Sequence, residues 1–391
     1  MRRLRLAACL AAVLVVTPAI AAELAIGFLG LADDPRYERT RLEHQFQGQP
    51  GGSPLAGAEV AIEESEFAAE AQGLKLRLDS AEAAGDDAAS VRGAFDGLVA
   101  GGAKFVLVDL PPAALDALAQ ATRTGGVTLI NVSAGDDALR AARCQPQLLH
   151  TMPSEAMLAD GLAQYLVSRK WRKVLVLVGP RPEDQLRLNA FTAAARRFGL
   201  KIVDTRSFRL SNDPRERDLG NVALLTAGED YDALYIADTD GEFARDANYR
   251  GQLPRPTVGS AGLAPEAWHW SWERNGAPQL NNRFLKHAKR PMRGADWAAW
   301  VAVKALVEAA GHVPDADPAK LLAYLRGPEL VVDGFKGARL SFRAWDGQLR
   351  QPVFLAFGNG VAASAPVDGF LHPVNALDTL GPDQPDTQCR R

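Results

Sequence analysis

The chain has 391 residues, 47% of them hydrophobic and 23% charged, which excludes a disordered, fibrous or polytopic membrane protein because enough apolar surface exists to form a core. The 44 basic and 47 acidic side chains leave a formal net charge of -3, so no global field attracts nucleic acid or an anionic membrane. We therefore expect one soluble body of about two domains, without a nucleic-acid partner.

The first 22 residues have the pattern of a secretory signal peptide. Three arginines near the start precede an apolar run, Leu6 to Val16, and Pro18 then comes before small residues. The apolar run is shorter than the ~20 residues that a membrane-spanning helix needs. We therefore predict export to the periplasm, with cleavage that removes residues 1–22.

The mature chain then alternates apolar strands with alanine-rich helices. The first series has strands at residues 24–29, 74–78, 105–108 and 127–132 and helices at residues 56–71, 87–99 and 113–124. Apolar strands separated by helices indicate a parallel sheet that is covered on both faces. The first half of the chain therefore predicts one doubly wound lobe.

A second series of the same kind begins after residues 150–153. It has helices at residues 154–168, 183–198 and 214–225 and strands at residues 174–178, 201–204 and 233–237. Two series of this kind predict an α/β protein with two doubly wound, Rossmann-like lobes.

The last third of the chain does not form a third series. Helices at residues 295–310 and 318–325 are followed by strands at residues 339–342 and 353–357, which we predict to pair as a hairpin around Asp346 and Gly347. These pieces are expected to be shared between the lobes. The predicted division is lobe one at residues 23–150 and 262–326, lobe two at residues 151–261 and 327–371, and a C-terminal tail at residues 372–391.

The sequence lacks motifs that common enzyme classes need. It contains no G-x-S-x-G nucleophile elbow, no G-x-x-x-x-G-K-[ST] phosphate loop and no H-E-x-x-H metal motif. The six histidines are scattered without metal-ligand spacing. We therefore predict a protein that is not an enzyme and has no catalytic residues, catalytic cofactor or metal site.

Two cysteines remain once the signal peptide and its Cys9 are removed. In an oxidising compartment, the pair Cys144 and Cys389 is more economically explained as a disulfide than as two free thiols. Such a bond would attach the C-terminal tail to the middle of the chain. A frayed tail with an unpaired Cys389 is the alternative.

Export, two parallel lobes and a chain that returns to its first lobe resemble the type I periplasmic solute-binding proteins of ABC transporters, in the branched-chain amino acid group. The segments that carry the resemblance are residues 24–31, 87–109 and 131–136, and the joint formed by residues 140–144 with residues 149–154. The resemblance implies a hinge of about three crossings that closes the lobes on a solute in the cleft between them. It also implies a monomer whose partner is an ABC permease in the inner membrane.

Two segments depart from the usual pattern of that family, the arginine-rich stretch at residues 32–41 and the turn at residues 109–112. They resemble the substrate-binding protein of PQQ-dependent alcohol dehydrogenase systems. That resemblance implies pyrroloquinoline quinone (PQQ) as the ligand and a PQQ-dependent dehydrogenase as a second partner. The alternative is another small solute, such as an amino acid, an aromatic acid or an alcohol-oxidation product.

PQQ is flat, aromatic and multiply anionic, so its pocket should offer cationic groups and a planar apolar wall. Arg36, Tyr37 and Arg39 directly follow a predicted strand, at the end where open α/β sheets bind ligands. A solvated surface loop is the alternative interpretation of this insert.

Three tryptophans within five positions, Trp268, Trp270 and Trp272, could stack on a quinone. If their segment is helical, the first and third share one face. Packing on a lobe surface or against a partner is the alternative. By contrast, Trp297 and Trp300 lie three residues apart in an apolar helix and are predicted to pack in the core.

Further ligand-binding residues are predicted in loops that follow strands. They are Asp109, Pro111, Asn131, Ser133, Arg181, Asp238, Thr239 and Ser260. Arg181 opens a helix whose N-terminus favours an anion, and an ordinary exposed arginine is the alternative interpretation.

Overall fold

The computed structural model describes residues 22–38, 51–313 and 315–390. The predicted signal peptide lies outside the described residues except for Ala22, which begins the first strand. Arg39, one of the predicted ligand-binding residues, also lies outside them. Within the described ranges, no helix is both long enough and apolar enough to cross a membrane.

The first lobe is built on a parallel sheet with the strand order β2-β1-β3-β4-β5. Its strands are β1 (Ala22–Leu31), β2 (Leu74–Ala83), β3 (Phe105–Val108), β4 (Thr128–Asn131) and β5 (Leu148–His150), connected by the helices α1 (Leu55–Ala71), α2 (Ala88–Ala100) and α3 (Pro112–Ala121). Every residue of β3 and β4 is buried, as expected for strands covered on both faces.

The second lobe begins with α4 (Glu155–Ser168), where the Ser154 side chain accepts a hydrogen bond from the Met157 N–H and caps the helix. Its further elements are β6 (Lys173–Val178), α5 (Pro182–Phe198), β7 (Lys201–Ser207), α6 (Val222–Leu225), β8 (Ala233–Ala237), α7 (Glu242–Arg250), β9 (Thr257–Gly259) and β10 (Leu263–Glu266). The helix predicted at residues 214–225 is a 3-10 helix, Pro214–Gly220, followed by α6.

The chain then returns to the first lobe as α8 (Ala277–Ala288), α9 (Gly294–His312) and α10 (Pro318–Arg326). Helix α9 packs on α1, and Gly57 permits this approach because an added Cβ would lie 2.1 Å from the Asp296 carbonyl oxygen. Trp297 and Trp300 on α9 are fully buried. This confirms the prediction that they pack in the core.

A small antiparallel sheet of β11 (Val332–Asp333), β12 (Arg339–Phe342) and β13 (Leu349–Arg350) precedes the last two strands, β14 (Val353–Phe357) and β15 (Gly360–Ala365). These two complete the second sheet, whose order is β15-β14-β10-β9-β8-β6-β7. Strand β14 is antiparallel to both neighbours. The predicted α/β class with two parallel-sheet lobes is confirmed.

Two details differ from the sequence predictions. The segments at residues 339–342 and 353–357 do not form a hairpin, because β12 pairs with β13 whereas β14 pairs with β10 and β15. In addition, β10 belongs to the second sheet, although the sequence prediction returned the chain to lobe one at residue 262. Both differences arise because an apolar run predicts a buried strand but not the strand with which it pairs.

Three stretches of described chain connect the lobes: those between β5 and α4, between β10 and α8, and between β13 and β14. The buried Arg140 side chain joins the first of them to the turn that precedes β13. Its Nη2 donates to the Met152 carbonyl oxygen, in the first of these stretches, at 2.7 Å, and its Nε donates at 2.8 Å to Oε1 of Gln348, which directly precedes β13. The junction is therefore held by buried polar contacts as well as by the chain itself.

Candidate functional site

A cavity of about 710 Å³ opens at the carboxyl ends of β8, β9 and β10. Side chains of α4, α5 and α7, the turn between β14 and β15, and the segment after β10 complete its wall. Its size lies within the ~300–1,000 Å³ of pockets that hold small molecules. Its position at the carboxyl end of a mostly parallel sheet is where α/β folds bind ligands.

Two glutamates in this cavity have no side-chain hydrogen bond or ion pair with any other residue that the structure describes. Glu155 begins α4 and Glu266 ends β10. Burial raises the pKa of both carboxyl groups, that of Glu266 to about 7, although the charge of Arg187 opposes the shift at Glu155 and that of Arg293 opposes it at Glu266. These carboxylates lose hydration without gaining a hydrogen-bond partner from the described chain.

The cavity also presents a guanidinium group from α5. Arg187 Nη1 donates to Ser260 Oγ at 3.3 Å, and no carboxylate oxygen in the described part of the chain lies within ion-pair distance of it. Tyr235, whose ring stacks on Phe191 with centroids 3.9 Å apart, donates its hydroxyl to the Arg187 carbonyl oxygen at 3.3 Å. The cavity therefore offers an anion-binding group beside Glu155.

Aromatic side chains form part of the cavity rim. Trp270 lies in the wall beside His269, and burial lowers the pKa of His269. Tyr249 on α7 and Phe357 at the end of β14 also line the cavity, although they are 89% and 59% exposed. Exposed aromatic surface at a polar cavity can contact an apolar part of a ligand.

Four of the predicted ligand-binding residues line this cavity: Asp238, Thr239, Ser260 and Trp270. The side chains of three of them already have partners within the protein. Asp238 Oδ2 accepts the Ala244 N–H of α7 at 2.9 Å, and Thr239 donates its hydroxyl to Asp184 Oδ1 at 2.7 Å. Ser260 Oγ accepts the Asp238 N–H at 2.9 Å as well as Arg187 Nη1. Trp270 is therefore the one of the four whose side chain makes no hydrogen bond with the described residues.

A separate cluster lies at the carboxyl ends of β1, β3 and β4 in the first lobe. Arg36 Nη2 is 2.6 Å from Asp34 Oδ2 and 2.9 Å from Asp109 Oδ1, and its Nη1 donates to Ser133 Oγ at 3.2 Å. Tyr37 donates its hydroxyl to Asp109 at 3.0 Å. Burial raises the pKa of Asp109. The predicted residues meet as expected, but the Arg36 charge is neutralised by two carboxylates of the chain itself.

The lobe-one cluster and the cavity are linked by one loop. The Gly135 carbonyl oxygen, two residues after Ser133, accepts the backbone N–H of Glu155 at 2.9 Å, and Asp137 Oδ1 accepts the Ala156 N–H at 3.0 Å. The N-terminus of α4, which carries a cavity carboxylate, therefore rests on the loop that follows β4.

Three of the predicted ligand-binding residues lie outside the cavity wall, in positions where their roles are structural. Asn131 is fully buried and donates to the Ala134 carbonyl oxygen at 2.7 Å. Pro111 precedes α3. Arg181 is exposed and donates to Asp240 Oδ2 at 2.7 Å, in agreement with the alternative interpretation of this arginine.

Two predicted tryptophans are placed away from the cavity. Trp268 is 1% exposed, and its indole N–H donates to Asn281 Oδ1 at 3.0 Å. Trp272 packs against Phe354 and donates to the Phe335 carbonyl oxygen at 3.0 Å. The assignment of Trp268 to a ligand wall is corrected, because Trp297 of α9 and Asn281 of α8 pack over it. Trp272 is half-buried and outside the cavity wall.

The sequence patterns did not identify three of the cavity residues as candidates for ligand binding: Glu155, Arg187 and Glu266. Each lies beside or within a predicted helix or strand. The search for ligand-binding residues considered only loops that follow strands, so it did not include them. The available signal was an acidic residue at the start of the helix after the lobe crossing, and another interrupting an apolar run. Among the described residues, no group of three or more His, Cys, Asp or Glu side chains could hold a metal ion.

A family profile described as periplasmic binding protein matches residues 47–248 of the chain. No curated protein matches it. Solved structures of similar fold include a branched-chain amino acid ABC transporter periplasmic ligand-binding protein from Burkholderia xenovorans LB400, with a TM-score of 0.70 and 13% identity over 94% of this chain and 99% of that chain.

Two further similar structures contain a bound small molecule. The ABC transporter solute-binding protein from R. palustris in complex with benzoate has a TM-score of 0.66 and 13% identity over 95% of this chain and 100% of that chain. The ABC transporter substrate-binding protein from Desulfitobacterium hafniense in complex with Leu has a TM-score of 0.67 and 19% identity over 87% of this chain and 99% of that chain. The similarity at these identities is one of fold.

Proposed function

The chain belongs to the periplasmic binding protein family, and on that premise we propose that it captures an amino acid or a related small solute that carries an amine and a carboxylate. Proteins of this family bind solutes for ABC transporters and are not enzymes. The cavity at the end of the second sheet would hold the solute, and closure of the lobes would exclude water from it.

The observation that carries this proposal is the pair Glu155 and Glu266, two half-buried carboxylates without a side-chain hydrogen-bond partner in the described chain. A ligand ammonium group between them would restore the interactions lost on burial. The guanidinium of Arg187, whose only side-chain partner among the described residues is a hydroxyl, would donate bidentately to the ligand carboxylate. The rim aromatics would contact the ligand side chain.

PQQ is the second candidate ligand, and its dehydrogenase the matching partner. That interpretation depended on Arg36 as a cationic group and on Trp268 as a stacking wall. The guanidinium of Arg36 is ion-paired with Asp34 and Asp109, and Trp268 is buried. In the cavity, the quinone's carboxylates would face two glutamates, so an amine-bearing solute is favoured electrostatically.

The proposal is tested by calorimetric titration of mature protein, stripped of bound solute, with leucine, phenylalanine, benzoate and PQQ. We expect saturable binding of an amino acid at a ratio of one to one. Arg187→Ala should weaken that binding by about 10- to 100-fold, the value of one or two charge-assisted hydrogen bonds. Arg181→Ala, an exposed arginine outside the cavity wall, is the matched control and should leave affinity unchanged. Binding of PQQ or benzoate alone would contradict the proposal.

The raised pKa of Glu266 predicts a pH-dependent affinity. Because this carboxyl group has a pKa of about 7, lowering the pH from 8 towards 5.5 should protonate it and weaken binding of the ammonium group by at most about tenfold per pH unit. Burial lowers the pKa of the adjacent His269 and so opposes its protonation as the pH falls. Glu266→Gln should bind the amino acid more weakly at pH 8 and with a flatter pH profile. A wild-type affinity that does not change with pH would contradict this assignment.

The raised pKa of Glu266 also predicts that its contribution to folding stability decreases as the pH rises, whereas solute affinity increases. The folded protein holds the Glu266 proton more tightly than the unfolded chain does, so this group favours folding fully below pH 4.5 and progressively less as the pH rises to about 7. Thermal denaturation of wild type and Glu266→Gln at pH 5 and pH 8 would measure it. The variant should gain relative stability at the higher pH.

A further inference from the structure

We infer that the C-terminal tail is a covalent strap that crosses from the second lobe to the first and limits how far the lobes can separate. The name strap is used for residues 376–389. The effect of the strap on the cavity rests on the proposed function. The limit on lobe separation does not, because it follows from the contacts of the tail.

One end of the strap is anchored to the second lobe. The Gly381 N–H donates to Asp160 Oδ2 on α4 at 2.7 Å, and the Gly381 carbonyl oxygen accepts Arg197 Nη1 from α5 at 2.7 Å. Leu380 is fully buried in a cluster with Met157 of α4. These contacts join the strap to two helices of the second lobe through both polar and apolar groups.

The strap also contacts the junction between the lobes. Asp378 Oδ1 accepts Arg343 Nε at 2.9 Å and Arg350 Nε at 2.8 Å. Both arginines flank the turn between β12 and β13, next to the third crossing. The tail is therefore a packed part of the molecule up to Gly381 rather than a frayed end.

The other end of the strap is attached to the first lobe by the disulfide between Cys389 and Cys144. Cys144 lies between β4 and β5 of the first sheet. Its neighbour Arg143 pairs with Asp116 on α3 at 3.3 Å and with Asp136 at 3.0 Å. The point of attachment is therefore held to the first lobe itself and not only to a connecting segment.

The length of the strap sets the restraint. Residues 382–388 connect the two anchors and are mostly exposed, so the restraint acts through the covalent chain rather than through packing. A 3-10 helix at Gln384–Asp386 shortens this stretch, and straightening that helix would lengthen it by roughly 4 Å. With the disulfide intact, the extended length of these seven residues limits how far the two anchors can separate.

The experiment compares the ligand-free mature protein with Cys389→Ser by small-angle X-ray scattering. We expect Cys389→Ser to have a larger radius of gyration and a larger maximum dimension than wild type. Leu380→Ala, which loosens the second-lobe anchor while the disulfide remains, should shift both values in the same direction. Arg390→Ser, an exposed neighbour of the cysteine, is the matched control and should scatter as wild type does.

Circular dichroism and thermal melting establish that each variant is folded at the measuring temperature. Folded Cys389→Ser with the scattering profile of wild type would overturn the inference. An effect of Cys389→Ser that Leu380→Ala does not share would also overturn it, because the bond would then act within the first lobe alone. No ligand is used, so failure of amino acids to bind would refute the proposed function and leave this test unaffected.

Discussion

Replacing Trp268 with alanine is expected to lower the free energy of unfolding by about 3–5 kcal/mol. Its ring lies nearly parallel to that of Trp297 with the centroids 6.0 Å apart, and it also contacts Phe354. Truncation would leave a large cavity in the main core and remove the partner of Asn281. Chemical denaturation followed by circular dichroism measures the change.

Trp270→Ala is the matched control because it removes the same side chain two residues away, from the cavity wall. It should change the free energy of unfolding by less than about 1 kcal/mol and should weaken solute binding. Trp268→Ala should instead lower stability and leave the affinity for the solute unchanged at temperatures where the variant is folded. Loss of affinity in Trp268→Ala without loss of stability would return this residue to the ligand site.

The second large effect is expected at Asp378, which is buried with Arg343. Their side chains are each 1% exposed, so Asp378→Ala would leave the buried guanidinium group of Arg343 with only the more distant carboxylate of Asp346, at 3.8 Å, among the described residues. Breaking a buried ion pair in this way costs about 3–5 kcal/mol. Arg350 would lose the same partner. We expect a marked fall in the melting temperature measured by differential scanning calorimetry.

Asp96→Ala provides the comparison for Asp378→Ala. Asp96 pairs with Arg92 on the surface of α2, and the side chains are 53% and 46% exposed. Removal of such a pair should change stability by no more than about 1 kcal/mol. Equal shifts in melting temperature for the two variants would show that burial of the Asp378 pair has no special role.

Most elements of the fold could be predicted from the sequence because each carries a local signal. Apolar runs such as the one in β6 have no solvent-facing alternation, which indicates a strand covered on both faces. Helix starts carry capping residues, as at Asp87 and Ser154. The pairing of strands was harder to predict. The sequence of β14 is equally compatible with a hairpin strand, and its pairing with β10 is seen only in the tertiary structure.

The candidate site was predicted in part, for a related reason. Ligands bind at the carboxyl ends of parallel strands. This rule correctly predicted that Ser260 lines the cavity, and it also predicted that the residues around Asp109 lie close together. The same rule did not indicate that Arg36 would be neutralised within that cluster. It also did not reach Arg187, which lies in the middle of α5 and enters the cavity because of the way α5 packs on the second sheet.

The sequence by itself determined the class of fold, the two-lobed organisation and the helices and strands, because periodicity, caps and turns act over a few residues. Only the tertiary structure decided which polar groups remain without partners, because burial and pairing depend on residues far apart in the chain. Glu155, Arg187 and Glu266 come from three different elements, and no local pattern relates them. Trp268 and Trp270 are near neighbours in sequence, yet the return of α8 and α9 buries the first and leaves the second at the cavity.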